Sequence, residues 1–435
     1  MTARMIESGR LRQALLGTTA IAVLTTSLVG IAPTAVAADA RSQQWYLDAM
    51  KADEIWKKTT GKGMTIAVID TGVDPDTPSL KGKVLKGWDA SDSKGDETDD
   101  YTGHGTSMAE MIVGSGAGGG LKGLAPDAKV IPFRVSDTER QNDQAVNAFD
   151  MEQAIRAAAD SEAQIISVSF GSEYYGERER EAVKYAGQKG KLLFASTGNE
   201  ALKDNKESYP ASYPEAVAVA ASNRDGSVAK YSQHGDFVDI AAPGSQIPAY
   251  CDKSLTKYCL SDGTSNSTAI ASASAALIWS MHPDWTANQV LRVLLDSAAR
   301  GDGWEPGTVS DFLGHGIVRP NAHVSRGEGE PGDANISPLT HKPTGGAAGA
   351  TPSATASASG TAAPGTSTTA PSATASTQAP DGKSTSGAPV AGSTESAAAD
   401  ADGGSSTGLV IGIAAAAVVV LAGAGFVLAR RRRSA

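Results

Sequence analysis

Apolar residues in this chain gather into short, nearly unbroken blocks rather than alternating ones. Residues 64–69, 129–135, 164–170, 191–196, 217–221 and 238–241 are such blocks, set off by glycine, asparagine or charged turns. Continuous apolar runs of this length read as strands buried on both faces. Residues 152–159 and 178–189 carry helical periodicity between them. Alternation of the two types predicts an α/β fold with a parallel sheet covered on both sides. Residues 265–281 are rich in Ala, Ser and Ile without glycine or proline, which predicts a buried helix. Residues 285–299 are amphipathic and read as a surface helix. Asp70, Ser169 and Asn199 fall at or just past the carboxyl ends of predicted strands, where open α/β sheets bind ligands.

Two further apolar runs lie outside this pattern. Residues 14–29 follow Arg4, Arg10 and Arg12 and precede Ala35-Val36-Ala37, the arrangement of a secretory signal over 1–38. An uncleaved anchor is the alternative. Residues 408–429 carry no charge and suffice to cross about 30 Å of hydrocarbon. Arg430 to Arg433 follow at once, so the tail 430–435 is placed in the cytoplasm and everything before the span outside. A buried core helix is the competing reading of that run. Residues 327–407 form an Ala/Ser/Thr/Pro/Gly-rich linker, and from 345 onward such a composition cannot offset its ordering entropy. The expected organisation is therefore a signal, an N-terminal extension at 39–63, one folded domain at 64–326, a disordered stalk and a single transmembrane helix.

Composition adds little to this division. The formal charge of −10 over 435 residues argues against nucleic acid as a partner. Cys251 and Cys259 are the two cysteines, and in an exported chain a disulfide between them is expected, with two free thiols as the alternative.

Candidate chemistry sits in three short segments. Asp70 closes the run Thr65-Ile66-Ala67-Val68-Ile69. His104 lies in Gly103-His104-Gly105-Thr106, and Ser265 ends Gly263-Thr264-Ser265. A serine hydroxyl is a poor nucleophile unless a base stands beside it. Asp, His and Ser in that chain order are one of three unrelated orders of the same triad. All three segments resemble the subtilase family, and Gly123-Leu124-Ala125-Pro126, Tyr209-Pro210-Ala211-Ser212-Tyr213-Pro214 and Ala241-Ala242-Pro243-Gly244 extend the resemblance.

The resemblance implies a subtilisin-like three-layer fold with a mainly parallel central sheet, and serine endopeptidase activity. It implies Asp70, His104 and Ser265 as catalytic residues, acting through an acyl-enzyme. Ala195-Ser196-Thr197-Gly198-Asn199-Glu200 resembles the family turn that carries an oxyanion donor, so Asn199 takes that role with the Ser265 N–H. Ser167-Val168-Ser169-Phe170-Gly171 resembles the strand that pairs with substrate, implying Ser169, Phe170 and Gly171 as substrate-binding. No cofactor is required and no metal ligand is assigned. The acidic run 89–100 reads as a solvated loop, with a structural calcium as the alternative.

Three departures from the family stand out. Asn266-Ser267-Thr268-Ala269 follows the nucleophile where small apolar residues and a proline are usual. Ser107 stands where many members carry a second histidine. Only about 25 residues separate signal from first strand, too few for the usual inhibitory pro-domain. With Gln44-Trp45-Tyr46-Leu47 and the C-terminal anchor, these features resemble the mycosins, membrane-anchored subtilases of type VII secretion in actinobacteria. That implies a processing peptidase at the outer membrane face, with protein or peptide substrates and type VII membrane components as partners. A non-catalytic scaffold of a secretion complex and a tethered scavenging protease are the alternatives.

Overall fold

The computed structural model describes residues 40–91, 94–135, 148–301, 304–305 and 307–344. The chain divides into two units, 1–355 and 356–435, and all described residues belong to the first. The proposed signal and the apolar run 408–429 lie outside the described residues. No helix among the described residues is long and apolar enough to cross a membrane.

Three short helices come first: α1 (Ala40–Gln43), α2 (Trp45–Ala49) and α3 (Ala52–Trp56). They are core rather than appendage, because Tyr46, Leu47 and Ile55 are fully buried in the main hydrophobic cluster. Gln44, also buried, locks this segment to the domain by exchanging two side-chain hydrogen bonds with the Lys122 backbone, at 2.9 and 2.8 Å. Trp45 Nε1 donates to the Ser245 carbonyl and Trp56 Nε1 to that of Leu124.

The body follows as β1 (Thr65–Asp70), β2 (Trp88–Asp89), α4 (His104–Val113), β3 (Lys129–Arg134), α5 (Ala148–Asp160), β4 (Ile165–Val168), α6 (Glu177–Gln188), β5 (Leu192–Ser196), β6 (Val217–Ser222) and β7 (Ile240–Pro243). A hairpin of β8 (Ile247–Tyr250) and β9 (Tyr258–Ser261) leads into α7 (Thr264–Met281), α8 (Ala287–Asp296) and α9 (Pro320–Arg326). The seven strands pair in parallel in the order β2-β3-β1-β4-β5-β6-β7. The pleat explains the unbroken apolar runs. On β1, Ile66 and Val68 enter the cluster under α4 and α7, while Ala67 and Ile69 enter the one under α5 and α6. The expected parallel sheet between two helical layers is thus present. Chain order reverses between β1 and β4, which makes the carboxyl ends of those strands the crevice of the sheet.

Helix α7 crosses β4 to β7 with almost every residue buried. Its small side chains permit that close approach, and its unusual start is fully bonded. Asn266 Nδ2 donates to the Gly244 carbonyl and to Ser261 Oγ, and Ser267 Oγ to the Ala242 carbonyl. Thr268 Oγ1 bonds back to the Thr264 carbonyl. The departures after Ser265 therefore tie α7 to β7 and β9.

Several boundaries shift from the sequence reading. Residues 327–344, assigned to the linker, are folded against α8. Thr286 Oγ1 and Asn288 Nδ2 donate to the Ala334 carbonyl, and Asn288 Nδ2 also to Thr344 Oγ1. The glycine-flanked segment at His104 is the start of a helix, and α7 begins at Thr264, one residue earlier than expected.

Glu179 on α6 is 2% exposed, and its Oε1 has no hydrogen-bond partner among the described residues. Burial pushes its carboxyl up to about 7, against 4.5 for a free glutamate. The unfolded chain releases this proton first, so the stability present at low pH is lost as pH rises from about 4.5 to 7, by on the order of 3 kcal/mol. Glu179→Gln is expected to raise the melting temperature at pH 8 and leave it nearly unchanged at pH 4.5, measured by thermal denaturation at both values.

Candidate active site

Asp70 ends β1 fully buried, and its Oδ1 lies 2.6 Å from His104 Nδ1. The Thr71 N–H donates to the same oxygen at 2.8 Å. The first turn of α4 can lie directly over this carboxyl because residue 105 is glycine. A Cβ there would stand 2.1 Å from the Gly72 carbonyl oxygen and 3.0 Å from the Asp70 Cβ.

A second carboxylate holds that turn. Asp100 is buried, and its Oδ1 accepts from Thr71 Oγ1 and from the Thr102 and Gly103 N–H groups. Its Oδ2 accepts from the Thr106 N–H at 2.8 Å and from Thr106 Oγ1 at 2.6 Å. It thus satisfies donors that the start of α4 leaves open, as a capping carboxylate does. The sequence reading placed Asp100 in a solvated acidic run and missed this role. The signal was an aspartate a few residues ahead of a glycine–histidine start.

Burial works against a charged His104. The Asp70 charge and hydrogen bond, with the Asp100 charge behind them, outweigh it and hold the imidazole above the usual histidine range. Its side chain keeps 37% of its exposure, facing a cleft. Phe170 flanks it at 5.8 Å between ring centroids.

Ser265 stands in the first turn of α7, beside the open N–H groups of the helix. Its Oγ donates to the Ser169 carbonyl at 3.2 Å, and no hydrogen bond joins it to His104 among the described residues. Asn199 is fixed by its Oδ1, which accepts the Thr264 N–H at 2.9 Å and Thr264 Oγ1 at 3.0 Å. That leaves Nδ2 free to face the cleft. Asn199 Nδ2 and the Ser265 nitrogen both lie 3.8 Å from the position a Cβ on Gly263 would occupy. Two donors therefore converge beside the hydroxyl.

The cleft holds about 670 Å³ and brings together His104, Ser169, Phe170, Gly171, Asn199 and Ser265. Cys251 and Cys259 are joined across the β8–β9 hairpin, with Cα atoms 5.7 Å apart. The hairpin meets α4 where the Tyr250 N–H donates to Ser107 Oγ at 2.9 Å. The acidic run is organised by buried Arg134, which donates to the Asp96 and Lys94 carbonyls and to Asp89. Among the described residues no group of three or more ligating side chains gathers for a metal.

The chain is similar to proteins of one family. The Subtilase family matches residues 61–316. Thermitase of Thermoactinomyces vulgaris is 34% identical over 239 residues, covering 54% of this chain and 82% of that protein. The major intracellular serine protease of Bacillus subtilis (strain 168) is 33% identical, covering 53% and 73%. Among solved structures, the MycP3 protease from the type VII (ESX-3) secretion system aligns with a TM-score of 0.57 at 26% identity, over 68% of this chain and 91% of that one. MycP1 from the ESX-1 type VII secretion system gives 0.58 at 26% identity, over 71% and 91%.

Asp100→Asn is expected to lower the hydrolysis rate about 10- to 100-fold by loosening the turn that carries His104. The base must be neutral to accept a proton. Removing the Asp100 charge lowers the histidine pKa, so the acid limb of kcat/KM moves to lower pH. A pH–rate profile checks both effects; a lower plateau with an unmoved limb would mean that Asp100 acts through packing alone.

Proposed function

Since the chain belongs to the subtilase family, and its Bacillus subtilis relative is named a serine protease, we propose that it is a membrane-anchored, extracytoplasmic serine endopeptidase of mycosin type, processing protein substrates of type VII secretion. The observation that carries the chemistry is the 2.6 Å contact of His104 Nδ1 with buried Asp70, at a cleft that Ser265 and Asn199 share.

In this reading Asp70 fixes the imidazole with Nδ1 protonated, which leaves Nε2 as the base. Ser265 rotates from the Ser169 carbonyl to His104 and gives up its proton as it attacks the scissile carbonyl. Asn199 Nδ2 and the Ser265 N–H receive the developing oxyanion. His104 then protonates the leaving amine, and water repeats the sequence on the acyl-enzyme. Phe170 flanks the imidazole, and Ser169 to Gly171 present backbone for an extended peptide.

The secretion role is supported by the solved relatives of type VII systems. The burial of Tyr46, Leu47 and Ile55 of helices α1 to α3 in the domain core also favours it. Anchoring rests on the apolar run 408–429 and the arginines after it. One observation favours a second reading, a non-catalytic scaffold: the Ser265 hydroxyl bonds Ser169 and not His104.

A fluorophosphonate probe on the full-length protein in membranes separates the two readings. Wild type is expected to label and Ser265→Ala to stay blank. Asn199→Leu is expected to label about 10²–10³ slower, a magnitude carried over from subtilisin. A folded wild type that does not label would establish the scaffold.

A further inference from the structure

The cleft beside Ser265 is strongly acidic. Glu173, Glu200, Asp204 and Glu207 line it, against Lys206 as the one lysine or arginine among its lining residues. Glu173 comes from the loop after β4, while Asp204 and Lys206 come from the loop after β5, and the two loops pair backbone to backbone at Ser172 and Tyr209. Lys206 Nζ pairs with Glu173 of the neighbouring loop and also contacts Asp204 at 3.1 Å. Glu207 accepts a hydrogen bond from the Tyr209 hydroxyl at 2.6 Å. Glu200 is held by Lys203 at 2.6 Å, outside the cleft. Phe170 and Tyr174 add aromatic faces to the same space.

An ammonium group bridging two carboxylates that line a peptide-sized cleft occupies the place a substrate cation would take. Lys206 is half exposed on a flexible stem, and pairs of this kind contribute little to stability. Exchange for an incoming cation therefore costs little. The newcomer gains both carboxylates, and an arginine fork matches them better than an ammonium does. Its stem would lie along Phe170 and Tyr174, as long cationic side chains do on apolar and aromatic surface.

We propose that this site takes peptides with an arginine or lysine beside the scissile bond, and that Lys206 is the resident stand-in which that side chain displaces. The inference rests on the peptidase reading above and adds its substrate class.

The test uses full-length protein and an unbiased peptide library read by mass spectrometry, followed by matched peptides with Arg or Leu at the selected position. Arg and Lys are expected to be enriched next to the cleaved bond. The Arg-to-Leu ratio of kcat/KM is expected to rise about 3- to 10-fold in Lys206→Ala and to fall about as much in Glu173→Gln/Asp204→Asn, with both effects shrinking in high salt. Probe labelling of each variant reports that the site is folded. Cleavage with no basic preference, or ratios that these substitutions leave unmoved, overturns this inference and leaves the peptidase standing. Loss of both labelling and cleavage in wild type overturns both.

Discussion

Asp70 and Asp100 are both buried, and among the described residues neither forms an ion pair with lysine or arginine. A carboxylate taken out of water costs several kcal/mol unless hydrogen bonds replace its hydration. Here the replacements come from Thr71, Thr102, Gly103, His104 and Thr106, grouped around the first turn of α4, while Asp70 Oδ2 has no partner among the described residues. Each bond to a charged group contributes about 1.5–3 kcal/mol, so the loss of any one leaves the burial less offset. The end of β1, the loop before α4 and the helix start therefore settle together. Thr71 joins the two carboxylates, its N–H bonding Asp70 and its hydroxyl Asp100. The imidazole inherits its position from this arrangement.

The rest of the domain braces the same helix from the far side. Ser107 takes the β8–β9 hairpin onto α4 through the Tyr250 N–H. One turn further on, buried Glu110 accepts from the Tyr250, Tyr258 and Thr77 hydroxyls. Burial pushes that carboxyl up, and its donors work against the push. The hairpin also reaches α7 through Ser261 and Asn266. A single stapled hairpin thus touches the helices of both His104 and Ser265.

What could be read from the chain follows from how each element is stabilised. Residues 64–69 announce a strand because both faces are buried, and α7 announces a helix because nothing in it breaks one. Helix α4 was hidden, since Gly103, Gly105 and Thr106 favour a turn locally and only the Asp100 carboxylate makes the helix start there. Asp100 itself was lost among neighbouring acids whose role depends on buried Arg134, a tertiary contact. Strands β8 and β9 are short and include Pro248, which masks them. Residues 327–344 look like linker by composition, yet Thr286 and Asn288 hold them by side-chain bonds that no local pattern encodes. The three candidate triad residues were legible because their motifs are local, whereas the rotamer of Ser265 was not.

Helix α7 brings Ser265, the proposed nucleophile, and also fills the core over β4 to β7, and it follows every strand of the large sheet in the chain. Its N-terminal turn carries Ser265 and also supplies, through Thr264, the bonds that orient Asn199. A chain still emerging from its exit pore, with α7 not yet delivered, has neither the Ser265 hydroxyl nor an oriented Asn199. On the roles proposed for these two residues, maturation of the chemistry is coupled to completion of the fold, and a half-made molecule carries no armed site.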